Sequence, residues 1–248
     1  MLLEACVDSV ESAIAAERGG ADRLELCSAL IIGGLSPTPA LFDEVRQRVN
    51  LPIRVMVRPR FGDFLYSENE FAVMLKEAET WRERGADGIV MGILKPDGEL
   101  DTARMRVIVQ ATPNVGYTLH RAFDLCKDPY EALESAIETG FDTVLTSGQA
   151  ESCIKGATLL RRLNAQAAGR ATILGGAGIN ASVIPELYAA TGITCYHASG
   201  KTRLQSRMAF RREGVPMGLP GFSEFEIWQT DAENIRRIKQ AMEATISG

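Results

Sequence analysis

Eight short apolar runs, separated by longer stretches with helical spacing, set the tightest limit on what this chain can fold into. The runs are Leu2–Cys6, Arg23–Cys27, Ile53–Val57, Gly88–Gly92, Gly116–His120, Thr143–Thr146, Ala171–Leu174 and Ile193–His197. Runs this short and this apolar suit strands buried on both faces. Between them, Ser67–Arg84 is the clearest amphipathic segment, with Phe71, Met74, Leu75, Ala78 and Trp81 on one helical face. Ser67 with Glu70 forms a capping-box pattern and Gly85 closes the far end. Asp8 with Glu11 reads as the same device for a first helix that ends at Gly19-Gly20. Gly20-Ala21-Asp22, Gly85-Ala86-Asp87 and Gly140-Phe141-Asp142 repeat one helix-to-strand junction, with Gly192-Ile193-Thr194 a looser copy. Their spacing corresponds to two βα units each, at roughly 30 residues per step.

Eight such units predict an α/β fold, a single (β/α)8 TIM-barrel-like domain over residues 1–248, a usual length for that architecture. A doubly wound open sheet is the alternative, but no G-x-G-x-x-G follows the first strand. Residues 200–221 read as an irregular loop, and 230–246 as a C-terminal helix capped by Thr230 and Glu233.

Charge and cysteine usage narrow the function classes. A net charge of -5 opposes a nucleic-acid partner, which needs clustered Lys and Arg. The first eight residues carry Glu4 and Asp8 and no basic segment, unlike a signal peptide, and no apolar run reaches membrane-spanning length. Five cysteines without CxxC spacing fit neither a disulfide framework nor a zinc ribbon. Reduced thiols in the cytoplasm are the expectation.

In a barrel of this kind functional groups sit at the carboxyl ends of the strands. Residues i and i+2 share a face, so Glu4 with Cys6 and Glu25 with Cys27 present two carboxylates and two thiols side by side at the mouth. A free Cys is also an ordinary small core residue, whereas a buried Glu needs a partner or a task. Later strand ends add Arg58, Arg60 and Asp63, then His120, Arg121 and Asp124, and finally His197. Glu4, Glu25, Arg58, His120 and Asp124 thus form a candidate catalytic set for a small polar or anionic metabolite. One Glu or His120 would act as general acid or base, and Arg58 would neutralise developing negative charge. The glutamates with His120 could instead hold a divalent metal. Gly175, Gly176, Gly178 and Ser199, in the loops after strands 7 and 8, form a candidate anion site, with backbone N–H groups near a helix N-terminus. Lys201, Arg203, Arg207, Arg211 and Arg212 form a basic run, read as a solvated surface or else a lid or subunit contact.

The segments "EACVDSVESAIAAERGGADRLELCSAL", "VMVRPRFGDFLYS", "HRAFD" and "VLTSG" resemble the copper homeostasis protein CutC family over nearly the whole chain. The resemblance implies a TIM-barrel-like fold, a cytoplasmic homo-oligomer and Cu(I) binding, with ligands at Cys6 and Cys27. Soft Cu(I) favours thiolates and accepts few ligands. Adjacent thiols also suit a reversible disulfide where their Cβ vectors converge. Phe61 departs from the family pattern, which has glycine there, and would narrow the mouth or move Asp63.

Overall fold

Eight parallel strands close into a barrel in the computed structural model, in the order β1 to β8 with β8 pairing back to β1. The structure describes residues 1–212, 214, 215 and 217–247. The strands are β1 Leu2–Val7, β2 Arg23–Leu26, β3 Ile53–Met56, β4 Gly88–Met91, β5 Gly116–Leu119, β6 Thr143–Thr146, β7 Thr172–Gly175 and β8 Cys195–Ala198. Each lies within two residues of its sequence expectation. The helices between them are α1 Val10–Gly19, α2 Pro39–Arg46, α3 Glu68–Glu83, α4 Thr102–Ala111, α5 Pro129–Thr139, α6 Ala157–Ala167 and α7 Ile184–Thr191. None of the described helices is long and apolar enough to cross a membrane.

Strand residues alternate between two environments. The outward set (Leu3, Ala5, Leu24, Leu26, Ile53, Val55, Ile89) packs under the helices in one continuous apolar layer. Helix α3 shows how the helices meet it. Its capping box at Ser67 and Glu70 is present, and its Met74, Ala78 and Trp81 are buried. Trp81 lies against Phe42 of α2 with ring centroids 5.7 Å apart, and burying an aromatic of this size stabilises by about 1.5–3 kcal/mol.

The inward set is far more polar. Arg54 of β3 crosses the barrel floor to the hydroxyls of Thr118 (2.7 Å) and Thr143 (3.2 Å) and to Asp142 (2.7 Å). Its path is open because β4 and β5 each begin with glycine. A Cβ on Gly88 would lie 2.7 Å from the Arg54 side chain, and one on Gly116 equally close.

The ends of the chain differ from expectation in three places. Ser9, not Asp8, caps α1 by accepting from the Ser12 N–H, while the Asp8 carboxylate accepts from the Leu30 N–H. Residues 201–205 are not irregular. They form β9 (Lys201–Gln205), which pairs antiparallel with β10 (Glu226–Thr230). This hairpin is largely exposed and has no apolar inner face, so no alternation marks it in the sequence. Glu213 and Pro216, within the span expected to be a loop, lie outside the described residues, as does Gly248. The last helix, α8, runs Ala232–Ser247. Asp231 stands at its cap, accepting from the Glu233 N–H, and Thr230 belongs to β10.

Candidate functional site

The parallel register staggers the two Glu-x-Cys motifs. Glu4 stands opposite Arg23 and Cys6 opposite Glu25, so the motifs do not sit side by side as expected. On its other edge Glu4 pairs with His197 of β8. Arg23, Glu25 and Cys27 therefore rise in three steps along β2, beside Glu4 and Cys6 of β1.

Glu4 is fully buried below the mouth and both its oxygens are engaged. Oε2 accepts from Arg23 Nε at 2.6 Å, and Oε1 meets His197 Nδ1 at 2.8 Å. Burial pushes its pKa up, but the His197 hydrogen bond and the Arg23 charge overcome this and hold it at about 2. Glu25 lacks such partners. Its Oε2 lies 3.8 Å from His197 Nε2 and its Oε1 has no hydrogen-bond partner. Burial, with the Glu4 charge adding to it, raises this carboxyl to about 7. His197 is shifted the other way from an ordinary buried imidazole. Burial disfavours its charge, but Cys6, Glu25 and Glu4 around it raise its pKa well above the usual value.

Arg58, expected to neutralise developing negative charge, does not pair with the glutamates. Arg23 and His197 balance Glu4, while Arg58 donates to the carbonyls of Gly34 (3.0 Å) and Gly62 (2.9 Å) and lies over Phe64, 4.9 Å from its centroid. Phe64 in turn contacts the His120 ring at 4.8 Å. His120 Nδ1 accepts from the Ala122 N–H at 3.2 Å, which places the proton of a neutral ring on Nε2. Burial and the Arg58 charge agree with that, lowering its pKa to about 3. His120 is consequently not the imidazole that joins the glutamates. The His/Glu cluster with donor atoms within 4.8 Å is Glu4, Glu25 and His197. Arg23 on Glu4 makes that cluster electrostatically poor for a divalent cation.

Above these residues opens a cavity of 380 Å³, lined by Cys6, Glu25, Met56, Arg58, Phe64, His120, Arg121, Leu145, Gly178, His197, Ser199 and Lys201 among others. Glu4 and Asp124 do not line it. Asp124 instead anchors the loops after β5 and β6, accepting from Arg121 Nε (2.7 Å), the Thr146 hydroxyl (2.5 Å) and the Ser147 N–H (3.1 Å).

The expected anion loop divides. Gly178 and Ser199 face the cavity, but Gly175 and Gly176 are packing glycines. A Cβ on them would come within 2.6 Å of Ile193 and 2.7 Å of Leu145, respectively. Helix α7 begins only at Ile184, beyond Gly178, and the start of α8 lies beside the loop after β8, where Asn234 donates to the Gly200 carbonyl. Phe61 is 63% exposed and absent from the cavity wall, and Asp63 is held by Arg60 at 2.9 Å, so the mouth is not narrowed there.

Of the sulfurs, Cys6 and Met56 line the cavity. Cys27 packs with Met56 and Val90, its thiol 3.5 Å from the Val7 carbonyl. Both Cys27 Sγ (3.4 Å) and Met56 Cε (3.5 Å) crowd the same point above Gly34. Burial, followed by the charges of Glu25 and Cys6, raises the Cys27 pKa well above the usual thiol value. All five cysteines are free. Arg23 and Met56 are the site residues missed in the sequence, and His197, read there only as a strand-end group, joins the glutamates in place of His120. Extending the i, i+2 phase one step back from Glu25 reaches Arg23, and the same phase on β3 joins Arg54, Met56 and Arg58.

Comparison with known proteins places this geometry. The CutC family profile matches residues 1–202. A family protein CutC of Chromobacterium violaceum is 43% identical over 242 residues, covering 98% of each chain. A human protein named copper homeostasis protein cutC homolog is 42% identical over 238 residues, 96% of this chain and 87% of its own. Among solved structures, a CutC protein from Streptococcus agalactiae superposes with a TM-score of 0.77 at 26% identity, covering 80% of this chain and 98% of that one. An aldolase at 17% identity and a TM-score of 0.57 covers 80% of this chain and 89% of its own, and shares the fold.

Proposed function

The chain belongs to the CutC family, and on that premise we propose that it serves copper homeostasis by holding Cu(I) on sulfur donors at the barrel mouth. The observation that carries this reading is the convergence of three sulfurs, Cys6, Cys27 and Met56, from three consecutive strands. Thiolates and a thioether are the ligands soft Cu(I) prefers, and their low number suits its coordination. The donor set therefore fits the cargo. Loading requires Cys27 to lose its proton and its contact with the Val7 carbonyl, so binding releases protons and strengthens as pH rises. Five free thiols agree with a reducing, cytoplasmic setting.

Anaerobic titration of Cu(I) against a competing chelator tests this. Cys6→Ser with Cys27→Ser is expected to abolish stoichiometric binding. Replacing Cys126 and Cys153, which lie elsewhere, is expected to leave it intact. Unchanged affinity in the Cys6/Cys27 variant would remove copper from this site.

One observation favours a second reading, an enzyme-like site for a small polar metabolite. Glu25 Oε1, Arg58 Nε and His120 Nε2 are buried without a hydrogen-bond partner, and all three residues line one cavity. Copper on the sulfurs uses none of them. A homo-oligomer is the further proposal, supported by the exposed Met208, Phe210, Met217 and Phe222 beside the β9–β10 hairpin.

A further inference from the structure

The second reading leaves open what chemistry the cavity recognises, and three buried groups define it. Arg58 is 7% exposed, and among the described residues no carboxylate pairs with it. Two backbone carbonyls, the Tyr66 hydroxyl and the Phe64 face are its neighbours, and Nε makes no close hydrogen bond. A buried guanidinium balanced only by dipoles calls for an anion. His120 is 4% exposed, and its Nε2 is a second donor with no acceptor. Glu25 is 2% exposed, and its Oε1 is an acceptor with no donor.

The rest of the wall agrees. Lys201 adds positive charge toward the rim, beside Arg121, whose charge Asp124 already pairs, in a chain whose net charge is -5. Met56, Phe64 and Leu145 offer apolar surface for a carbon skeleton. A volume of 380 Å³ lies at the small end of ligand pockets, the size of a metabolite.

We infer that this cavity binds a small hydroxylated anion, with carboxylate or phosphate oxygens toward Arg58 and His120 and a hydroxyl toward Glu25. Each orphaned group then gains the partner its chemistry requires. The inference rests on the small-molecule reading of the cavity and is independent of copper.

Calorimetric titration of the metal-free protein with gluconate, ribose 5-phosphate, ribose and inorganic phosphate tests it. Gluconate or ribose 5-phosphate is expected to bind with Kd below about 1 mM, and ribose at least about tenfold more weakly. Whichever of the two binds identifies the anionic group. Arg58→Gln and His120→Gln are each expected to weaken that binding about tenfold, the effect of losing a charge-assisted hydrogen bond. Lys201→Glu, at the half-exposed rim and without risk to the core, is expected to weaken the anionic probe while leaving ribose unchanged. Ribose binding as tightly as the anions would overturn the anion assignment and keep the small-molecule reading. Inorganic phosphate binding as tightly as ribose 5-phosphate would overturn the hydroxyl contact. Heat from none of the four would overturn both.

Discussion

Replacing Glu25 with Gln should stabilise this protein, by an amount that depends on pH. Burial holds the Glu25 carboxyl at about 7, against 4.5 for the unfolded chain. Below pH 4.5 the group is protonated in both states and contributes nothing. As pH rises, the unfolded chain ionises first, so the folded state binds the extra proton and loses stability until about pH 7. At about 1.4 kcal/mol per pH unit the loss reaches about 3 kcal/mol. The amide of Gln carries no such penalty. Melting followed by circular dichroism should therefore show Glu25→Gln and the parent together at pH 4.5. At pH 8 the variant should melt higher by about 6–12 °C, at about 2–4 °C per kcal/mol for a chain of this size. Glu4→Gln should do the reverse. Its pKa of about 2 means that Glu4 stabilises above pH 4.5 and loses that contribution as pH falls toward 2. Removing it leaves Arg23 and His197 buried without their partner, a loss of about 3–5 kcal/mol at neutral pH. If the parent and Glu25→Gln curves stay parallel from pH 4.5 to 8, the argument from burial is wrong.

Two further outcomes follow from features away from the thiols. Gly88→Ala should cost about 1–3 kcal/mol in urea unfolding, because the new methyl meets both Arg54 and the Gly116 carbonyl, at 2.9 Å. A wild-type midpoint would show that Arg54 does not need that channel. Replacing Phe210 and Met217 with Ser should lower the molar mass seen by light scattering, since both are more than half exposed on the surface proposed for self-association. An unchanged mass would exclude that surface.

The barrel was legible because buried parallel strands leave a simple trace: short apolar runs at regular spacing with repeated Gly-x-Asp junctions. Period two placed Glu25, Arg58, His120 and Cys6 on one cavity. It could not supply register, which decides that Glu4 faces Arg23 and His197 while Glu25 is left half-partnered. The direction of the Arg58 guanidinium was hidden for a related reason. It is set by the carbonyls of Gly34 and Gly62, groups that every residue carries and no sequence pattern marks. The hairpin of β9 and β10 escaped because an exposed ribbon needs no apolar alternation.

The hydrogen bond from His197 to Glu4 joins residues 193 positions apart, across the seam where the last barrel strand meets the first. That distance makes the site a late product of folding. A chain emerging from the ribosome carries Glu4, Cys6, Glu25, Cys27, Arg58 and His120 long before β8 exists. Until β8 docks, Glu4 has only Arg23, and burying it prematurely is unfavourable. The second partner of the carboxylate comes only with the last barrel strand, and long-range pairing of this kind is intrinsically slow. The cavity likewise lacks the wall made by His197, Ser199 and Lys201 until β8 forms. A chain cut before β8 should retain all three sulfur donors and lose binding of the anionic ligand.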